Sequence, residues 1–93
     1  SLTQKVLITM KITNPASNQT LVETTAFRAL LSYGVPQVVV LHEERLTLVN
    51  SKKYSNTTSK HRNAGVRLYA PSNFTTIEAS PSEIQEATGL ECQ

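Results

Sequence analysis

Apolar and polar residues alternate from Lys5 to Thr13. In an extended chain Val6, Ile8, Met10 and Ile12 share one side, and Leu7, Thr9, Lys11 and Thr13 share the other. The pattern predicts a strand with one buried and one largely wetted face, as in a sheet covered on one side. Asn14-Pro15 ends it.

The period then changes. Val22, Ala26, Ala29, Leu30 and Tyr33 recur at helical spacing, and Phe27 and Leu31 widen the stripe. Thr20 and Glu23 fit a capping box, in which each side chain satisfies a free N–H of the first turn. Gly34 fits a left-handed C-cap, and Pro36 blocks continuation. These signals together predict a helix over 21–33.

Gln37 to Leu41 is a β-prone run, followed by the polar step His42-Glu43-Glu44-Arg45 and by Leu46 to Val49. This is one long bent strand or a hairpin with its turn at 42–45; no Gly, Asn or Pro stands in 42–45 to make a tight turn, which favours one strand with a bulge or bend. Residues 50–64 read as a long polar loop. Val66 to Ala70 reads as a strand, Pro71-Ser72-Asn73 as a turn, and Phe74 to Ala79 as a short strand. A second helix starts at Ser80, with Pro81 in its first position and Glu83 closing a capping box. Ala79 and Ile84 suit its hydrophobic staple, and Gly89 ends it. Leu90 to Gln93 is an edge strand or a tail.

Strand, helix and two more strands are the opening of a split β-α-β plan. The expected fold is α+β: a ferredoxin-like two-layer sandwich, with a mostly antiparallel sheet and two helices on one face. The 93 residues make one domain over 1–93, and a first residue Ser1 rather than Met suggests a piece excised from a longer chain. No stretch reaches the ~18 apolar residues that a membrane span needs.

Charge adds a polarity to this picture. The net charge is only +2 and Asp is absent. Lys52, Lys53, Lys60 and Arg62 stand in 50–64 without an acid, whereas Glu78, Glu83, Glu86 and Glu91 stand in 78–93 without a base. A basic loop bearing Lys52, Lys53, Tyr54, Lys60, His61 and Arg62 is the best candidate contact surface. Its cations suit phosphates or sulfates, and Tyr54 suits stacking on a base or sugar.

Catalytic chemistry is poorly represented. Only His42 and His61 are available as a base, no nucleophile elbow occurs, and Cys92 is next to the last residue. His42 and Glu44 reach one strand face, but two ligands do not make a metal site. Gly34, Gly65 and Gly89 are too far apart for a phosphate-cradling loop. No catalytic residue, metal or cofactor is therefore assigned.

Three Asn-x-Ser/Thr sequons begin at Asn18, Asn56 and Asn73. That exceeds the roughly one to two expected by chance in this composition. Cys92 has no partner within the chain, which in an oxidising compartment points to a disulfide with another domain or chain. The sequence favours a non-catalytic extracellular or cell-surface glycoprotein module for adhesion or protein contact. The partner is another protein or a neighbouring domain, and an edge strand allows a homodimer. The alternative is a small cytoplasmic or viral protein associated with nucleic acid or assembly, holding an anionic polymer through 50–64.

Overall fold

The computed structural model describes residues 11–92. Six strands, β1 (Lys11–Thr13), β2 (Gln19–Glu23), β3 (Phe27–Ser32), β4 (Val35–Leu41), β5 (Leu46–Asn50) and β6 (Thr75–Ala79), form one open sheet. Helix α1 (Asn56–Tyr69) joins β5 to β6, and α2 (Pro81–Thr88) follows β6. The chain is thus α+β with a mostly antiparallel sheet and two helices. The strands lie in the order of the sequence. β1 to β5 are an antiparallel meander, and β6 pairs parallel to β5. The interleaved strand order of the ferredoxin-like plan does not occur among the described residues.

The helix expected over 21–33 is a β-hairpin. Leu21 pairs with Leu30, and Val22 with Ala29. The Thr24 hydroxyl accepts from the N–H groups of Ala26 and Phe27, both at 3.1 Å, and shapes the turn between β2 and β3. Gly34 does have positive φ, at 81°, but Tyr33 has it too, at 51°. Two such residues between the paired Ser32 and Val35 make a type I′ turn, which suits the twist of a hairpin. A glycine at positive φ serves a helix end and a tight hairpin equally well. What misled was the run of adjacent apolar residues. Leu21, Val22, Ala29 and Leu30 are all buried because this sheet is covered on both faces, and double burial erases strand alternation.

Three other expectations change. The chain turns at 42–45 instead of continuing as one bent strand, and Arg45 takes the left-handed conformation at φ 54°. The polar loop 50–64 and the strand 66–70 are largely replaced by α1, capped by Ser55, whose hydroxyl accepts from the Thr58 N–H at 3.1 Å. Of the strand expected over 5–13, Lys11–Thr13 is β1 and is exposed on both faces. Positions 5–10 lie outside the described residues.

The expected strand before the last helix and the capping of that helix hold, whereas 90–92 is neither strand nor frayed, Cys92 being buried. β6 begins at Thr75, and Ser80 and Glu83 form the reciprocal capping box with Pro81 in the first turn. Gly89 closes α2 at φ 76°.

The helices lie on opposite faces, not on one. Val38 and Val39 are neighbours in β4 and so point to opposite sides. Val38 clusters with Leu21 and Leu30 beneath Val66 and Tyr69 of α1. Val39 clusters with Val22, Phe27, Ala29 and Leu48 beneath Ile84 of α2. Helix α1 comes close because Gly65 has no side chain. A Cβ there would stand 2.5 Å from Leu30 Cδ2 and 3.2 Å from Val38 Cγ2. Gly65→Ala gains about 1 kcal/mol of helix propensity but overpacks a closed interface at a cost of about 1–3 kcal/mol. Leu30 and Val38 are both buried and both contacts are shorter than ordinary van der Waals distance, so overpacking wins. The expected result is a net loss on the order of 1 kcal/mol in urea unfolding, against a change within about 0.5 kcal/mol for the exposed Asn63→Ala.

Candidate functional site

The six residues of the expected basic loop are not one surface. Thr58, His61, Arg62, Gly65 and Tyr69 recur at helical spacing on the side of α1 that meets the sheet. His61 Nδ1 lies 2.8 Å from the Ser32 hydroxyl, and its ring stacks on Tyr33 with centroids 6.2 Å apart. Arg62 Nη1 donates to the Asn50 carbonyl at 3.0 Å. Lys60 points away from the sheet with Asn56 and Arg67. Lys52 and Lys53 precede the helix, and the Lys52 ammonium sits 5.1 Å from the centre of the Tyr54 ring. Two of the cationic or titratable groups are thus spent on docking α1, and the others diverge.

Ser32 and His61 have the spacing of a nucleophile and its base. Their surroundings argue for a different task. Ser32 is buried, and its hydroxyl donates its one proton to Thr58 Oγ1 at 3.3 Å. Thr58 Oγ1 accepts in turn from Ser55 at 3.1 Å. Among the described residues no carboxylate bonds His61 to orient it. This chain of hydroxyls fastens the first turns of α1 to the end of β3. His42 and Glu44 are exposed in the turn after β4. Among the described residues no three potential ligands converge on a metal position.

Asn50 ties the end of β5 to three other segments. Its Nδ2 faces the Pro36 carbonyl at 2.9 Å, the Tyr54 hydroxyl at 3.2 Å and Cys92 Sγ at 3.5 Å. Its Oδ1 accepts from the Lys52 N–H at 2.9 Å. The Cys92 thiol lies 3.7 Å from the Pro36 carbonyl and is buried. A disulfide to another chain therefore requires this end of the chain to open. Burial pushes the Cys92 thiol above its ordinary range, and burial likewise raises the Tyr54 hydroxyl.

Asn18, Asn56 and Asn73 are all exposed. Asn18 stands at φ 61° in the β1–β2 turn and donates from Nδ2 to the Tyr33 hydroxyl at 3.3 Å. Asn56 is the first residue of α1, and Asn73 lies in the turn before β6.

The feature that sequence reasoning missed is the outer edge of β6. Among the described residues no strand lies beyond it. Thr75 to Glu78 are exposed, and Ile77 keeps 41% of its surface in contact with water. The direction of each peptide group follows from two hydrogen bonds. The Thr75 N–H donates to the Arg45 carbonyl at 3.1 Å, and the Ala79 carbonyl accepts from the Ser51 N–H at 2.9 Å. Peptide groups alternate sides along a strand, so Thr75, Ile77 and Ala79 face β5. Thr76 and Glu78 present their N–H and C=O groups outward. Both ends of this free stretch are closed, because the Phe74 N–H donates to the Pro71 carbonyl and the Ser80 N–H to Glu83. No Lys or Pro blunts the edge. The signal was available in Thr75-Thr76-Ile77, a β-prone run just before a capped helix, but only pairing shows which of its sides is free.

The buried thiol sets two expectations. Cys92 should react with a disulfide reagent at pH 8 on the order of tenfold or more slowly in the native state than in denaturant. Raised pKa values at Cys92 and Tyr54 mean that the fold favours their protonated forms. Their contribution is complete below the unfolded values of about 8.5 and 10 and is lost as pH rises through the folded ones. Thermal melts should fall above about pH 8.5, and less steeply in Cys92→Ser.

No protein family, curated protein or solved structure matches this chain.

Proposed function

We propose that this chain is a non-catalytic interaction module that takes a strand of another protein on the outer edge of β6. The observation that carries this reading is the pair of outward peptide groups at Thr76 and Glu78, flanked by donors that are already satisfied. Strand addition draws its affinity from main-chain hydrogen bonds and its selectivity from alternate side chains. Here those are Ile77 on one face and Thr76 and Glu78 on the other. The adhesive, cell-surface setting is part of the proposal. It is supported by the exposure of all three sequon asparagines, two of them in turns; a glycan on Asn18 would take the place of its bond to the Tyr33 hydroxyl. Among the described residues no helix is long and apolar enough to cross a membrane.

Two experiments test the two halves. Display of extended random peptides against the immobilised protein should select β-prone sequences whose binding is lost in Thr76→Pro, because proline removes one of the outward donors. Selection that is indifferent to Thr76→Pro would rule out the edge. Expression in a glycosylating host should add glycan mass that disappears stepwise in Asn18→Gln, Asn56→Gln and Asn73→Gln. A protein secreted with no added mass would remove the glycoprotein setting and leave the edge untouched.

A further inference from the structure

We infer that the strand received by β6 is β6 of a second copy of this chain, running antiparallel about a two-fold axis through Ile77. The inference rests on the edge reading above and names its partner. Antiparallel pairing about a two-fold must set outward-facing residues opposite outward-facing residues. Three centres meet that condition near the free stretch: Thr76, Ile77 and Glu78. A centre at Glu78 sets two carboxylates directly opposite each other, which is unfavourable, and brings in Ser80, whose N–H is held by Glu83. A centre at Thr76 sets Glu78 opposite Phe74, whose N–H is held by Pro71.

The centre at Ile77 has neither fault. Thr76 of each copy faces Glu78 of the other, and each pair exchanges two N–H to C=O bonds. All four outward donors of the two copies are then satisfied, and none beyond them is needed. On one face the Thr76 hydroxyl of each copy stands opposite the other copy's Glu78 carboxylate, a donor facing an acceptor. On the other face the two Ile77 side chains meet in the closer, non-hydrogen-bonded type of pair. Within one copy, Ile12, Val22, Ala29, Val39, Leu48 and Ile77 form one apolar row across the sheet. The two-fold joins the Ile77 ends of two such rows, so the exposed end beyond Leu48 becomes the middle of a longer row. Asn73 lies three residues outside the bonded stretch. A ladder this short makes a weak dimer, half-formed on the order of 10–1000 μM.

Sedimentation equilibrium of the unglycosylated protein between dilute and millimolar concentration decides the matter. The expected result is a monomer–dimer equilibrium. Thr76→Pro should weaken it at least about tenfold, since it removes two of the four bonds, while the dilute monomer melts as before because that N–H is outside the β5 ladder. Should Thr76→Pro fail to fold, Ile77→Lys, which sets two ammonium groups at the axis, provides the same test at an exposed site. Amide exchange gives an independent readout. Thr76 and Glu78 should become protected as concentration rises, while Ile77 is protected throughout. A monomer at millimolar concentration overturns the inference, as does a dimer indifferent to both substitutions. A monomer that still selects extended peptides through Thr76 overturns self-pairing alone, whereas one that selects none overturns the edge reading with it.

Discussion

The fold depends on β4 being buried from both sides at once. Val38 and Val39 are adjacent and point in opposite directions, and each is covered by a different helix. Neither helix has a strongly apolar stripe to contribute. Helix α2 offers Ile84, and α1 offers Val66, Tyr69 and the missing side chain of Gly65. The sheet therefore supplies most of the apolar surface, and the helices supply cover. Removing roughly 25 cal/mol per Å² of apolar surface from water is the dominant gain. Here that gain is concentrated in β3 and β4, where Ala29, Leu30, Val38, Val39 and Val40 lose nearly all contact with solvent.

A helix as polar as α1 can lie on such a sheet only if its inward polar groups find partners. They do so at two ends. The hydroxyls of Ser32, Ser55 and Thr58, with His61, secure its first turns, and Arg62 reaches the Asn50 carbonyl. Asn50 extends the network to Pro36, Tyr54 and Cys92. This is why the basic residues of 50–64 do not form a common surface. Arg62 and His61 are structural contacts, and the helical twist turns Lys60 away from them.

The same packing accounts for the exposed edge. β6 enters the sheet through the α1 crossover and pairs with β5 on one side. Its last residue, Ala79, is buried near Ile84, so α2 folds back over the neighbouring strands and not over the outer edge. The capping box at Ser80 and the turn at Pro71 satisfy the donors on either side of the stretch and leave the two between them open. A surface with so few free groups constrains its partner's register more than a long flat edge does.

Much of the local grammar was written in the sequence. The capped helix at its C-terminal end, the strand before it, the β-prone runs of β4 and β5 and the positive φ of Gly34 follow from propensity, capping and backbone sterics, which act over a few residues. Tertiary structure decided the rest. The apolar residues of 21–31 became strands because two helices cover the sheet, and double burial makes a strand look continuous rather than alternating. Residues 56–69 became a helix because a sheet was present to bond their inward Thr58, His61 and Arg62, which carry no hydrophobic signature of their own. The candidate site was the least legible part. A strand's free side is defined only by which neighbour it already has, and that is a property of the assembled sheet rather than of any segment within it.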